Sequence, residues 1–79
     1  MNPRVKAVEV LEDCTLQLEF NNVQKGLFSM LPYLDYPVYK PLKDHSVFKQ
    51  ARVTMGFISW NEDIDMSPDN LYSESKMIA

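Results

Sequence analysis

Residues 32–42 have the sequence PYLDYPVYKPL, in which three prolines are interleaved with three tyrosines. Proline fixes φ and has no N–H group to donate, so this stretch forms neither a long helix nor a central strand. Its apolar side chains must instead be buried along an irregular path. We expect Tyr33 to pack in the core with Trp60, the single tryptophan of the chain, and with its hydroxyl reaching a backbone group.

The other two tyrosines of this stretch, Tyr36 and Tyr39, stand between the prolines, and we expect both to be exposed. Exposed tyrosines on a rigid loop are typical anchors of protein interfaces. The sequence therefore predicts an interaction site at Tyr36 and Tyr39, with Lys40 and Lys43 beside them.

Strand patterns lie on both sides of the irregular stretch. Residues 4–11 are rich in valine and apolar on both faces, which predicts a strand that is either central or bulged near Ala7-Val8. Residues 15–20 alternate between polar and apolar side chains, which predicts a half-buried strand. A third strand is expected over 23–30, with a bulge at Gly26, and two more over 51–55 and 57–60.

Two short helices are expected between and after these strands. Asp44 can cap a helix over 45–50, and Ser67 followed by Pro68 can begin a final helical turn. The order of elements is three strands, a short helix, two strands and a short C-terminal helical turn. We therefore predict one α+β domain over residues 1–79, with an antiparallel sheet of about five strands and helices packed on one face.

Composition narrows the class of protein. The chain has 79 residues, a net charge of −3, one cysteine and one histidine. One cysteine excludes an internal disulfide, and one histidine with one cysteine cannot build a Cys/His zinc site. No apolar run is long enough to span a bilayer, and no secretory signal is present. We expect a cytoplasmic protein without metal or cofactor, and a partner chain as its remaining way to bury more surface.

Two patterns could carry chemistry, and each has a simpler interpretation. Asp63, Asp65, Ser67 and Glu74 have the spacing of a calcium-binding loop, but Pro68 stands where that loop needs glycine. A solvated turn with helix-capping carboxylates is favoured for residues 62–74. Cys14 and His45 could form a nucleophile and base, but a catalytic pair also needs a third orienting group and an oxyanion site, so a turn cysteine and a histidine in the first turn of a helix are favoured.

The motif Pro32-Tyr33-Leu34, followed by Phe48, Val53, Ile58-Ser59-Trp60-Asn61, Asp65, Pro68-Asp69 and Leu71-Tyr72, resembles a family of small bacterial proteins. This is domain-of-unknown-function family twenty-four forty-two, and the resemblance runs from about Val5 to Tyr72. It implies a compact α+β unit with no assigned enzyme activity. In such families the turn after the second strand usually holds Asp-Gly, whereas this chain has Asn21-Asn22-Val23, a departure that affects the geometry of the hairpin.

The resemblance also implies a type of partner. Family members are often encoded beside another small uncharacterised protein, in an arrangement similar to a toxin–antitoxin pair. From this we expect an antitoxin-like or regulatory protein–protein interaction module rather than an enzyme, acting through the Tyr36/Tyr39 loop or an open sheet edge. The partner would be another small protein, such as one encoded nearby, with a homo-oligomer as a further alternative and no membrane partner.

A nucleic-acid-binding accessory domain is the second hypothesis. Its binding surface would be the basic stretch Lys40–Arg52, through phosphate contacts and stacking on nearby tyrosines. The net negative charge of the chain and the acidic run 62–74 argue against nucleic-acid binding. Nucleic acid is therefore the less favoured partner.

Overall fold

A computed structural model describes residues 3–78 of the chain. The fold is α+β, with two antiparallel sheets in place of the single five-stranded sheet expected from the sequence. The strands are β1 (Val5–Val10), β2 (Thr15–Phe20), β3 (Lys25–Ser29), β4 (Arg52–Thr54), β5 (Phe57–Ser59), β6 (Asp65–Met66) and β7 (Lys76–Met77). The helices are α1 (His45–Phe48) and α2 (Pro68–Glu74), and two short 3₁₀ helices cover Leu31–Tyr33 and Lys40–Lys43.

The larger sheet has the strand order β1-β2-β3-β7, and the smaller has the order β4-β5-β6. The sequence prediction missed β6 and β7. Each has only two residues, so neither contains enough of a repeat to show an alternating pattern. They form strands because β6 pairs with β5 and β7 pairs with β3. A short window of sequence does not show such pairings between distant residues.

The meander β1–β3 follows the alternation of its residues. Leu16, Leu18 and Phe20 of β2 are fully buried, whereas the side chains between them are half-buried. Of the two alternatives for β1, the central strand is wrong, because β1 lies at the edge of its sheet. The bulge is confirmed, although the β1–β2 register shifts between Val5 and Ala7, just before the predicted position. The extra residue leaves Lys6 on the outer face, where its Nζ atom lies 3.8 Å from Glu19 Oε2.

The predicted bulge at Gly26 is wrong, because the β2–β3 register runs without a shift past this residue. Gly26 is buried beneath the end of α2. A Cβ atom placed on Gly26 would lie 2.9 Å from Ser75 Cβ, which is closer than carbon atoms approach without displacement. The glycine therefore permits close contact between strand and helix, which is another known reason for glycine in a strand.

Both predicted helix caps are confirmed. The Asp44 carboxylate accepts hydrogen bonds from Ser46 N (2.9 Å) and Ser46 Oγ (2.7 Å) at the start of α1. These bonds lower the pKa of Asp44 because they favour its charged form. Ser67 Oγ accepts from Asn70 N at 3.3 Å, and Pro68 occupies the first turn of α2.

The core lies between the inner face of the larger sheet, the smaller sheet and the helical segments. Phe20 of β2 meets Tyr72 of α2 edge to face, with ring centroids 5.1 Å apart. The fully buried large side chains come from every part of the chain: Leu16, Leu18, Phe20, Phe28, Met30, Leu42, Phe48, Ile58, Trp60 and Leu71. None of the helices within residues 3–78 has the length and apolar character needed to cross a membrane.

Candidate functional site

The segment 31–43 joins the two sheets through a series of tight turns, and we call it the proline–aromatic segment. Its backbone is closed by short-range hydrogen bonds, including Tyr36 N to Tyr33 O (3.0 Å) and Tyr39 N to Tyr36 O (2.9 Å). These turns suit the three prolines, which need no N–H partner. Because of the turns, the segment has an inner side facing the core and an outer side facing solvent.

On the inner side, aromatic rings form an unbroken series of contacts. Tyr33 stacks on Phe28 with centroids 5.4 Å apart and meets Tyr39 edge to face at 6.1 Å. Tyr39 in turn contacts Trp60 at 6.5 Å, and Trp60 stacks on Phe48 at 6.4 Å. Such edge-to-face and stacked pairs stabilise a fold beyond simple area burial. The segment is thus fixed to both sheets by its side chains.

The polar atoms of these rings also find partners; Trp60 bonds a backbone group as predicted, whereas Tyr33 bonds a side chain instead of the predicted backbone group. Trp60 is fully buried, and its Nε1–H donates to the Phe48 carbonyl oxygen at 3.1 Å. Tyr33 is half-buried, and its hydroxyl oxygen accepts from Asn70 Nδ2 at 3.4 Å. The expectation that both pack in the core is confirmed for Trp60, and Tyr33 packs against the edge of the core.

The prediction that Tyr39 is exposed is wrong. Tyr39 is half-buried against the core, and its hydroxyl donates to the Asp65 carbonyl oxygen of β6 at 3.1 Å. Burial, followed by the negative charges of Asp65 and of an ionised Tyr33, raises the pKa of Tyr39 above its ordinary value. The turn from Tyr36 to Tyr39 reverses the chain direction, and this places Tyr39 on the inner side.

Tyr36, in contrast, lies on the outer side, as predicted, with 55% of its surface exposed. Leu31 (56%) and Val38 (50%) are exposed on the same segment. We call Leu31, Tyr36 and Val38 the outer apolar surface. The exposure of Leu31 and Val38 was not predicted from the sequence, although both residues stand beside prolines in an irregular stretch.

Lys40 and Lys43, the two predicted basic site residues, are both exposed and lie next to this surface. The backbone N–H of Lys40 donates to the Tyr36 carbonyl oxygen at 3.0 Å. Lys43 Nζ lies 3.5 Å from the Asp35 carboxylate, which immediately precedes Tyr36 in the chain. Of the four predicted site residues, Tyr36, Lys40 and Lys43 are exposed on or beside this segment, whereas Tyr39 is half-buried on its inner side.

Two sheet edges that could have accepted a partner strand are partly occupied by the chain itself. The Asp65 carbonyl of the edge strand β6 already accepts the Tyr39 hydroxyl. At the start of the edge strand β1, Val5 N–H donates to the Gly56 carbonyl in the β4–β5 turn at 2.9 Å. At these two edges, strand addition is therefore a weaker candidate than binding at the outer apolar surface.

Among the described residues, neither the calcium-loop spacing nor the Cys14/His45 pair forms a site. Within residues 3–78, no three His, Cys, Asp or Glu side chains are close enough to hold a metal ion. Cys14 is half-buried in the β1–β2 turn and His45 is exposed at the start of α1, with no hydrogen bond between them. In the acidic run, Asn61 Oδ1 accepts from the backbone of Asp63 and Ile64, so it organises the loop before β6.

The hollows on the described surface are small. One of about 230 Å³ is lined by Phe57 and residues 65–68, and another of about 160 Å³ lies on the outer face of the larger sheet above Ala7. Small-molecule sites are typically about 300–1,000 Å³. Both of these hollows are smaller than that range.

Comparison with known proteins agrees with the resemblance in the sequence. No curated protein and no solved structure gave a significant match to this chain. A family model described as "Protein of unknown function (DUF2442)" matches residues 5–77, from the start of β1 to the end of β7. This match covers nearly all of the chain, which therefore belongs to that family.

Proposed function

We propose that this chain is a protein-binding domain that contacts its partner through the outer apolar surface. The observation that carries the proposal is the exposure of Leu31, Tyr36 and Val38, each half or more exposed within one short segment. Single exposed apolar residues are common on proteins, but a group of them on one rigid segment is typical of an interaction site.

The rigidity of the segment supports the same function. Pro32, Pro37 and Pro41 restrict its backbone, and the inner rings of Tyr33 and Tyr39 are packed against the core. A surface held in one conformation loses little conformational entropy when a partner binds. Tyr36 is the natural anchor, since tyrosine is enriched among the residues that dominate interface energies.

The proposed partner is another small protein, as in the paired arrangement that the family resemblance implies, and the role is regulatory or antitoxin-like rather than catalytic. Nucleic-acid binding is the second candidate. It is favoured by the exposure of Lys40, Lys43, Lys49 and Arg52 along one stretch. It is opposed by the burial of most aromatic rings, which leaves Tyr36 as the one well-exposed ring available for stacking among the described residues.

A capture experiment with a matched control tests the proposed function. The tagged full-length chain, a Tyr36→Ala/Val38→Ala variant and a Met55→Ala variant are each incubated with extract of the source cells, and the retained proteins are quantified by mass spectrometry. Met55 is 85% exposed in the β4–β5 turn, outside the proline–aromatic segment, so it controls for loss of an exposed apolar side chain.

We expect at least one protein to be retained by the wild type and by Met55→Ala, and to be lost with the double variant. Thermal unfolding must show that the double variant keeps its fold. Direct titration of the purified candidate partner should then give the same order of affinities. Equal retention of every captured protein by the double variant would contradict the proposal. Retention of nucleic acid instead of protein would favour the second candidate.

A further inference from the structure

We infer that the outer apolar surface takes an acidic peptide segment that carries an apolar anchor residue; this inference rests on the proposed function. The apolar side chains of such a segment would contact Tyr36 and Val38. Its carboxylates would face the basic stretch that begins at Lys40. The partner would therefore present a short segment in which Asp and Glu flank one or two large apolar residues.

The distribution of charge is the first support. Residues 40–52 contain four basic residues and one acidic residue, a net charge of +3, while the whole chain has −3, which leaves −6 for the remainder. These thirteen residues thus hold four of the eight basic residues and only one of the eleven acidic residues of the chain. The basic side chains of this stretch are all exposed: Lys40, Lys43, Lys49 and Arg52.

These cations are also available to a partner. Among the described residues, Lys43 is paired with Asp35, whereas Lys40, Lys49 and Arg52 form no ion pair. The single acidic residue of the stretch, Asp44, is already engaged in capping α1 through Ser46. Complementary charge at the rim of an interface speeds association and selects the partner more than it adds affinity.

The basic stretch begins beside the outer apolar surface, at Lys40 and Lys43. Lys40 donates its backbone N–H to the carbonyl of Tyr36, and the ion pair between Lys43 and Asp35 crosses the same turn. One bound segment could therefore contact the apolar side chains and the cations together. An apolar centre bordered by charges is the usual anatomy of a binding surface.

The area of the surface favours a short segment over a second copy of the chain. Three half-exposed side chains present on the order of 300 Å² of apolar area, whereas a stable protein–protein interface buries about 800 Å² on each partner. The total accessible surface of the chain is 4929 Å². A folded monomer of 9.2 kDa is expected to expose about 4,900 Å², so this chain exposes no more surface than an ordinary monomer of its size.

Nucleic acid fits the same surface less well. A polyanion extends far beyond one binding site, and the net charge of −6 outside residues 40–52 would repel its flanks. A peptide is short, and its leucine or phenylalanine side chains match Val38 and Leu31, which offer a nucleic acid neither a stacking ring nor a charge. The observations therefore favour an acidic peptide.

The test is a selection from a library of short random peptides. The full-length chain is the bait, and peptides that fail to bind the Tyr36→Ala/Val38→Ala variant are retained. We expect the retained set to be enriched in Asp and Glu beside a large apolar residue. One retained peptide is then titrated against Lys40→Gln/Lys49→Gln and against Lys25→Gln/Lys76→Gln, two variants with the same net charge.

We expect Lys40→Gln/Lys49→Gln to weaken binding several-fold, up to about thirtyfold, at low salt, because two charge pairs at the rim of the interface are removed. The Lys25→Gln/Lys76→Gln control should change binding less than about twofold, and added salt should reduce the difference between the variants. Equal weakening by both variants would indicate an effect of net charge alone and would overturn the inference.

Other outcomes separate this inference from the proposed function. Tyr36-dependent peptides with no acidic preference overturn the acidic partner but support protein binding. If no peptide is enriched, the peptide inference fails, and the capture experiment above decides the proposed function by itself. A Tyr36-dependent dimer in sedimentation, or Tyr36-dependent binding of random single-stranded DNA, would identify a different occupant and overturn the inference.

Discussion

The meander β1–β3 and the proline–aromatic segment are fixed in place by different means. The meander is held by backbone ladders between neighbouring strands, and its side chains alternate between core and solvent. The segment 31–43 has only short turns of its own, and it is held by the rings of Tyr33, Tyr39 and Trp60. Local pattern therefore determines the first region, whereas tertiary contacts determine the second.

This difference assigns distinct roles to two tyrosines three positions apart. Tyr39 joins the segment to both β6 and Trp60, while Tyr36 contacts Tyr33 with one edge and leaves more than half of its surface, 55%, in solvent. The first is a structural residue and the second is available for binding. Substitutions should separate these roles and also test what holds each region.

The largest effect is expected from Tyr39→Ala. Removing a half-buried ring and its hydrogen bond to Asp65 should lower the free energy of unfolding by about 2–4 kcal/mol. Tyr36→Ala should change it by less than about 0.5 kcal/mol, as is usual at exposed positions. Urea unfolding followed by circular dichroism measures both. Similar losses in the two variants would show that the inner and outer sides are not distinct.

A smaller loss is expected at the contact between the meander and α2. Gly26→Ala should destabilise the fold by roughly 1–3 kcal/mol, because the new methyl group would meet Ser75 Cβ at 2.9 Å. Ser75→Gly removes that carbon, so the same Gly26→Ala change should have a smaller effect in a Ser75→Gly background. Additive effects of the two substitutions in a double-mutant cycle would contradict this explanation.

A gain of stability is expected in the turn between β2 and β3. Val23 has φ of 65°, in the left-handed region, and closes the turn by donating its N–H to the Phe20 carbonyl at 3.0 Å. This conformation is unfavourable for a β-branched residue and easily adopted by glycine. Val23→Gly should raise stability by about 0.5–1 kcal/mol. An unchanged or lower unfolding midpoint would show that the turn carries no such strain.

The smallest effect concerns pH. The pKa of Tyr39 is raised in the folded chain, so its contribution to stability is full below the ordinary tyrosine pKa and is lost as pH rises through the folded value. Tyr39→Phe should be less stable than the wild type at about pH 8, and the difference should shrink above about pH 11. Thermal unfolding at both pH values checks this. A difference that stays constant would exclude the hydroxyl of Tyr39 as its source.

The sequence allowed the meander, both helix caps and the burial of Trp60 to be predicted, since each depends on residues close together in the chain. It did not allow Tyr36 and Tyr39 to be distinguished, because each lies between prolines in the same kind of local context. Their difference comes from the turn between them and from the position of β6, a two-residue strand with no pattern of its own. The division into two sheets was not predicted either, because it also depends on contacts between residues far apart in the chain.

The position of Trp60 also makes its fluorescence a measure of whether the core is folded. It is the only indole in the chain, it is shielded from water, and it touches Phe48 and Tyr39 but not Tyr36. Its emission should therefore be blue-shifted while the core is intact and move to longer wavelength on unfolding. Binding of a partner to the exposed side of the proline–aromatic segment should leave the Trp60 emission nearly unchanged. Unfolding and partner binding can therefore be followed separately in one sample.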